Sequence, residues 1–244
     1  MQPLSGKVAI VTGSGRGIGR AIALAFAGAG ASICCAARTW EQINATASTI
    51  VESDGQAFAC LVDVTSEANV QRMVRETVER FGGLDILVIN AGVDLDPHPV
   101  EQSRTELWKQ TLETNLTGAY YCAKAAIPYL RQRGAGKIIT IGSGLGHQGY
   151  PGSAAYACSK AALWMLTRIL AQELIGDNIS VNELIPGPVT TASSSLDPQH
   201  SVIGKYPGEW KKLPEDVVPL ALFLATQPDC GPTAQSFSLM RRER

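Results

Sequence analysis

Tyr156 and Lys160 lie four residues apart and are the most informative pair in the 244-residue sequence. If the run between them is helical, the two side chains share one face, one turn apart. An ammonium beside a phenol favours the phenolate, so the spacing predicts a tyrosine whose pKa falls from about 10 toward neutrality. Such a tyrosine can exchange a proton with an alcohol or a carbonyl oxygen. Alone, the pair is weak evidence, because the spacing also occurs by chance on surface helices.

A glycine-dense turn near the start of the chain is the second motif. It reads Thr-Gly-Ser-Gly-Arg-Gly-Ile-Gly over residues 12–19. An apolar strand precedes it and a helical pattern follows it, which disfavours the alternative of a turn that binds nothing. Glycines allow close backbone approach, and a helix N-terminus offers free N–H groups to a phosphate. The sequence therefore predicts a nucleotide-binding turn.

Strand and helix patterns alternate along the whole chain. The predicted strands are Val8–Val11, Ser32–Ala37, Ala57–Val62, Ile86–Asn90, Lys137–Ile141, Ser180–Leu184 and Ser236–Leu239. The predicted helices are Gly17–Ala29, Thr39–Ser53, Ser66–Phe81, Ser103–Arg133, Ala154–Leu174 and Pro214–Ala225. This pattern predicts the α/β class: a single-domain Rossmann fold over residues 1–244, with a doubly wound seven-stranded parallel sheet and helices on both faces.

Composition narrows the function classes. The hydrophobic content is 45%, the charged content is 18% and the net charge is −1. We expect a globular protein with no nucleic-acid partner and no membrane association, since no basic excess, signal peptide or membrane-length apolar run is visible. The six cysteines show no Cys-x-x-Cys spacing and are expected to be reduced, in a cytoplasmic protein. The three histidines have no metal-ligand spacing, so no metal is expected.

The two motifs and the alternating pattern resemble the classical short-chain dehydrogenase/reductase family from Ser5 to about Leu239. Further motifs match in order: Asp63-Val64 after the third strand, Asn90-Ala91-Gly92 after the fourth, Asn115 in a helix, Ser143 after the fifth strand, and Pro186-Gly187-Pro-Val189-Thr-Thr191 after the sixth. Ile89 stands where the family expects a first asparagine, and the C-terminus lacks the usual Asp-Gly-Gly.

The resemblance implies four catalytic residues. Tyr156 would be the general acid/base, and Ser143 would hydrogen-bond the same substrate oxygen. Lys160 would lower the pKa of Tyr156 and hold the nicotinamide ribose, while Asn115 would anchor a water that links Lys160 to solvent. The positions that match the family's cofactor-binding motifs are Gly13, Ser14, Gly15, Arg16, Gly17, Ile18, Gly19, Arg38, Thr39, Asp63, Val64, Asn90, Ala91, Gly92, Tyr156, Lys160, Pro186, Gly187, Val189 and Thr191.

The residues at the end of the second predicted strand indicate whether NAD or NADP is preferred. An acidic residue there would accept from an adenosine ribose hydroxyl and repel a 2′-phosphate, but Ala37 occupies the position. Arg38 follows, and Arg16 lies in the glycine turn, so two guanidinium groups could pair with a phosphate. NADP is therefore favoured over NAD. The alternative is that Arg38 stacks on adenine and Arg16 faces solvent.

The predicted function is NAD(P)-dependent hydride transfer between the cofactor and a small-molecule carbonyl or secondary alcohol. The chain is similar to the 3-oxoacyl-acyl carrier protein reductase and sugar/polyol dehydrogenase branches of the family. The predicted substrate contacts are Ser143, Leu145, His147, Tyr150 and Tyr156. Residues 188–212, rich in Ser, Thr, Pro and Gly, are predicted to form a substrate-binding loop.

Two alternatives stay open: an epimerase or dehydratase on the same fold, and a non-catalytic dinucleotide-binding regulator. The family resemblance also implies a homotetramer, or else a homodimer.

Overall fold

A seven-stranded, all-parallel sheet forms the centre of the protein in a computed structural model, which describes residues 2–190 and 210–240. The strand order is β3-β2-β1-β4-β5-β6-β7. The strands are β1 (Val8–Thr12), β2 (Ser32–Ala37), β3 (Gln56–Leu61), β4 (Ile86–Ile89), β5 (Gly136–Ile141), β6 (Ile179–Ile185) and β7 (Ser236–Ser238). The order reverses between β1 and β4, where a doubly wound sheet opens a crevice at the carboxyl ends of its strands. The predicted fold class is confirmed.

Helices cover both faces of this sheet. They are α1 (Gly17–Gly28), α2 (Trp40–Glu52), α3 (Glu67–Phe81), α4 (Thr105–Leu112), α5 (Gly118–Gln132), α6 (Ala154–Leu174) and α7 (Val218–Ala225). Helices α1, α2 and α7 contribute to one apolar core, and α3, α5 and α6 contribute to the other. Both cores consist of the near-continuous apolar residues expected of parallel strands that are buried on two sides.

The segment predicted as one helix over 103–133 is different in the structure. A 3-10 turn (Val100–Gln102) precedes α4, and a π-helical turn (Glu113–Thr117) joins α4 to α5. Gly118 begins α5 in close contact with Val64, since an added Cβ would lie 2.8 Å from a Val64 methyl. The π turn widens the helix where Asn115 reaches across to another segment. Such bulges are frequent at functional sites, and residue periodicity alone does not reveal them.

The end of the chain departs from regular geometry. Strand β7 has three residues and pairs only with β6 in the described part of the chain. Ala234, just before it, has a φ of 60°, which is unusual for a residue with a Cβ. Most of the predicted 188–212 loop, including Thr191, lies outside the described residues. None of the described helices combines the length and apolar character needed to cross a bilayer.

Candidate active site

The glycine turn between β1 and α1 depends on residues without a Cβ. Gly13 has a φ of +66°, and a Cβ there would lie 2.7 Å from Asn90 Nδ2. Gly17, the first residue of α1, has a φ of +56°. A Cβ on Gly19 would overlap the carbonyl oxygen of Gly13. The turn therefore closes on itself and on β4, and only glycine fits these positions.

Thr12 and Asn90 tie this turn to the end of β4. Asn90 Nδ2 donates to the carbonyls of Thr12 (2.8 Å) and Gly13 (3.2 Å). Thr12 Oγ1 accepts from the backbone N–H groups of Asn90 and Ala91 and donates to Val88 O. Thr12 begins the glycine motif but was not among the predicted cofactor contacts, and the structure shows it to be the second anchor of the turn beside Asn90.

The remaining residues of the turn differ in what they can offer. Ser14 is fully buried, and its backbone N–H and C=O are engaged by Ala36 and Thr46. Arg16 and Arg38 are exposed. Among residues 2–190 and 210–240, neither guanidinium has a hydrogen-bond or ion-pair partner. The charged donors at this edge of the sheet are therefore available to a ligand, whereas Ser14 serves the packing of the turn.

Two more of the predicted cofactor contacts follow β3. Asp63 Oδ1 accepts from the backbone N–H and the hydroxyl of Thr65, at 3.0 and 2.9 Å, which fixes the carboxyl group in a turn. Val64 is buried against Gly118 at the start of α5. The two residues lie at the carboxyl end of the sheet, where a doubly wound fold collects its ligands.

Asn115 fixes the segment that follows β4. Its Oδ1 accepts from the Val93 N–H at 2.8 Å, and its Nδ2 donates to Val93 O at 2.8 Å and to Ser159 Oγ at 2.9 Å. Ser159 lies on α6 beside Lys160. A Cβ on Gly92 would lie 3.3 Å from Asn115 Oδ1 and 3.6 Å from Lys160 Nζ. The Asn115 side chain therefore acts as a clamp between two segments.

The Ser143 hydroxyl lies close enough to the Tyr156 phenol to influence its pKa. Ser143 follows β5, and its Oγ accepts from the Leu145 N–H at 3.2 Å. Tyr156 lies in the first turn of α6 and is half-buried. Burial raises the pKa of Tyr156 to about 12; the hydrogen bond from Ser143 opposes this rise, and the charge of Asp94 adds to it. The phenol is therefore protonated at neutral pH.

Lys160 is buried one helical turn beyond Tyr156. Its Nζ donates to Ile141 O at 2.7 Å and lies 5.7 Å from the centroid of the Tyr156 ring. Burial lowers the pKa of Lys160 to about 8, and the negative charge of Glu183 opposes that effect. The ammonium bonds to the backbone at the end of β5.

The expected effect of Lys160 on Tyr156 is absent from this structure. The four-residue spacing predicts a lowered tyrosine pKa, but that pKa is raised. The physical reason is that Lys160 Nζ is bonded to Ile141 O, while burial penalises the phenolate. Helical spacing places two side chains on one face but does not place their terminal atoms in contact.

The predicted substrate contacts are not all brought together. Leu145 and Tyr150 lie in the segment between Ser143 and α6. His147 instead bonds through Nε2 to the buried carboxylate of Glu183 at 2.9 Å, and its ring meets the edge of Trp164 on α6. The His147 ring therefore contacts the interior of the protein, through Glu183 on β6 and Trp164 on α6.

Beyond β6, the chain turns through Pro186 and Gly187. Gly187 has a φ of +67°, which suits glycine. Val189 is buried and forms an isolated parallel bridge with Lys212. This bridge holds the predicted carboxamide-binding segment at the carboxyl end of β6.

The described residues fit a dinucleotide. The glycine turn precedes helix α1, and its glycines allow backbone atoms to approach one another closely. Arg16 and Arg38 supply unpaired cationic donors beside this turn. A helix N-terminus flanked by guanidinium groups is suited to phosphate. In the described ranges, no three His, Cys, Asp or Glu side chains are grouped as metal ligands.

Fold and site define an α/β enzyme with a dinucleotide turn at one strand end and a Ser–Tyr–Lys group at another. The sequence profile of the short chain dehydrogenase family matches residues 7–200. The chain belongs to the short-chain dehydrogenase/reductase family and is an oxidoreductase with an NAD(P) cofactor. The predicted family is confirmed.

Individual relatives agree with this assignment. The chain is 38% identical over 235 residues to a short-chain type dehydrogenase/reductase of Picea abies, covering 91% of this chain and 87% of that protein. It is 32% identical over 241 residues to a 3-oxoacyl-[acyl-carrier-protein] reductase of Synechocystis sp., covering 98% and 97%. A short-chain type dehydrogenase/reductase of Mycobacterium marinum has a crystal structure with a TM-score of 0.90 at 32% identity, covering 96% of this chain and 94% of the other.

Proposed function

We propose that the protein is an NADP-preferring oxidoreductase that interconverts a carbonyl and a secondary alcohol, with Tyr156 as the general acid/base. The nicotinamide supplies or accepts the hydride. The chain supplies the proton and the geometry. Tyr156 Oη gives its proton to the substrate oxygen in reduction, and Ser143 Oγ donates to the same oxygen. The similarity to the Synechocystis 3-oxoacyl-[acyl-carrier-protein] reductase supports a 3-oxoacyl thioester as one substrate to test.

The observation that carries this proposal is the grouping of the Ser143 and Tyr156 hydroxyls beside a buried Lys160. A protonated phenol at neutral pH is the form needed to donate to a carbonyl oxygen. Lys160 is positioned by Ile141 O on one side, and Asn115 braces the neighbouring segment through Val93 and Ser159. A regulator that only binds a dinucleotide has no physical need for this buried polar group.

The preference for NADP is supported by charge. Ala37 ends β2, neither Arg38 nor Thr39 is acidic, and the exposed Arg16 and Arg38 have no partners in the described part of the chain. A 2′-phosphate would gain two charge-assisted donors there, whereas a ribose hydroxyl would gain less.

A substrate panel tests the proposal directly. Wild-type protein and Tyr156→Phe are assayed with NADPH and NADH against 3-oxoacyl thioesters, sugars and simple ketones, and consumption of the reduced cofactor is followed by absorbance. Reduction by the wild type with NADPH, lost in Tyr156→Phe, is the expected result. Turnover that is unaffected by Tyr156→Phe would exclude this mechanism.

We expect residues 188–212 to contribute to the substrate site. We also expect the protein to work in the cytoplasm.

The proposed assembly is a homotetramer, or else a homodimer. Exposed apolar side chains on α5 and α6, namely Tyr120, Met165 and Ile169, support it. Sedimentation velocity measures the state of assembly.

A further inference from the structure

Glu183 is a carboxylate in the interior of the sheet. It lies on β6, between β5 and β7, and pairs in register with Thr140 and Ser236. Its side chain has 0% exposure. Removing a carboxylate from water costs several kcal/mol in general unless charge and hydrogen bonds compensate. Neighbouring groups must therefore stabilise this carboxylate in the core.

One oxygen of Glu183 is well satisfied and the other is not. Oε2 accepts from Ser236 Oγ at 2.6 Å and bonds to His147 Nε2 at 2.9 Å. Oε1 has no hydrogen-bond partner in the described part of the chain. It lies so close to Gly142 that a Cβ there would overlap it. Glycine at position 142 thus makes room for the carboxylate directly beside Ser143.

Glu183 also approaches Lys160. Lys160 Nζ donates to the carbonyl of Ile141, the residue immediately before Gly142. The carboxylate and the ammonium therefore converge on the Ile141–Gly142 peptide, inside a region where water is excluded. Opposite charges in such a region interact more strongly than at the surface. The charge of Glu183 opposes the lowering of the Lys160 pKa that burial causes.

We propose that Glu183 is a positioning residue for the proton-transfer chemistry: its buried carboxylate keeps the Lys160 ammonium charged and, through His147, holds the Ser143–His147 segment against the sheet. The inference rests on the proposed function, in which Lys160 and Ser143 act with Tyr156. His147 also contacts the edge of Trp164, so this segment is fixed at its far end as well as at Ser143.

The charged and polar groups around Glu183, Lys160 and Tyr156 come from several elements of the fold. His147 faces Glu183 from the segment after β5, and Lys160 faces it from α6. Ser236, on β7, is neutral. Asp94, after β4, acts on Tyr156. Among the described residues, Glu183 supplies the negative charge that favours the charged form of Lys160.

The experiment compares Glu183→Gln with the wild type and with Ser236→Ala. Glutamine keeps the size of the side chain and removes its charge, while Ser236→Ala removes a hydrogen bond to the same oxygen and no charge. The primary readout is the pH titration of the Lys160 side-chain ¹⁵Nζ resonance, assigned by its loss in Lys160→Arg. It needs no substrate, so it stands even if the proposed reaction fails.

We expect the wild-type midpoint near 8. In Glu183→Gln it should fall by about one pH unit, at the low end of the range for losing a nearby opposite charge. Ser236→Ala should leave it in place. With a carbonyl substrate from the panel, the alkaline limb of kcat/KM should move with the same midpoint.

Identical Lys160 titrations in the wild type and Glu183→Gln would overturn the proposal, as would an equal shift in Ser236→Ala. Should Glu183→Gln not fold, Glu183→Met takes its place, because methionine is close to glutamate in length and also removes the charge. The same downward shift of the Lys160 midpoint is expected. An unshifted midpoint in a folded Glu183→Met protein would also overturn the proposal.

Discussion

Around the glycine turn the backbone fixes the geometry, whereas around Tyr156 and Lys160 the geometry depends on buried side chains. Gly13 and Gly19 allow main-chain atoms to touch, and Asn90 bonds only to main-chain carbonyls. Near the strand ends of β5 and β6, by contrast, the Lys160 ammonium and the Glu183 carboxylate are removed from water beside the half-buried phenol of Tyr156.

This difference determines what each region responds to. A backbone turn is sensitive to added atoms and to the charges at its rim, but not to pH, since it holds no titrating group of its own. A desolvated polar cluster is sensitive to single hydroxyl groups and to pH, because burial moves the pKa values of its members in opposite directions. Substitutions that separate cofactor binding from proton transfer test this division.

The largest effect is expected at Tyr156. Tyr156→Phe keeps the ring and deletes only the proton donor, so kcat should fall by about 10²–10⁴-fold, as for loss of a general acid. The affinity for NADPH, measured by fluorescence titration, should change little, because the turn is untouched. Tyr129→Phe on α5 also deletes a tyrosine hydroxyl, but outside the group of Ser143, Tyr156 and Lys160, and serves as the control. A parallel loss of cofactor affinity would show that the two regions are not separable.

Strand and helix positions were largely predictable because buried parallel strands have distinctive apolar runs. The bounds of β2 and α6 agree with the prediction, and no end of the other strands differs from it by more than one residue. The π turn at Glu113–Thr117 was not predictable. Asn115 lies in this turn and bonds to Val93, a contact between segments that no local periodicity records.

The sequence predicted which residues belong to the site better than it predicted the contacts that those residues make. The motifs named Ser143, Tyr156 and Lys160, which the structure brings together. They did not indicate Glu183, since a single acidic letter within an apolar strand carries no signal about its partners. The position of His147 was also hidden for that reason, because its orientation depends on Glu183.

The second largest effect is expected at Gly13. Gly13→Ala forces a side chain to a φ of +66° and places its Cβ 2.7 Å from Asn90 Nδ2. The free energy of unfolding should fall by about 2–5 kcal/mol, the sum of about 1–2 for the left-handed conformation and about 1–3 for overpacking. Urea denaturation measures it.

Gly82→Ala separates these two causes. Gly82 has a φ of +80°, and a Cβ there meets nothing within 4 Å. Its substitution should cost about 1–2 kcal/mol, the conformational part alone. Equal losses in the two variants would mean that close contact with Asn90 adds nothing to the turn.

A smaller effect is expected at the rim of the cofactor site. Arg38→Asp removes a cationic donor and adds a repelling charge, so NADPH binding should weaken by about 1.5–3 kcal/mol, the range for a hydrogen bond to a charged group. NADH binding should weaken less. Arg75→Asp on α3 carries the same change of charge as a control. Equal losses for both cofactors would mean that Arg38 does not read a 2′-phosphate.

The smallest effect is the pH dependence that Lys160 gives to reduction. Below its pKa of about 8, Lys160 is charged; above it, the ammonium is lost while Tyr156, with a pKa of about 12, is still protonated. The alkaline limb of kcat/KM should therefore follow Lys160, with about a tenfold loss per pH unit above 8. Lys160→Arg keeps a charge throughout this range. Its activity should be lower overall but flat from pH 7 to 10. A limb that persists in Lys160→Arg would assign the titration to another group and would remove Lys160 as the link between the catalytic cluster and pH.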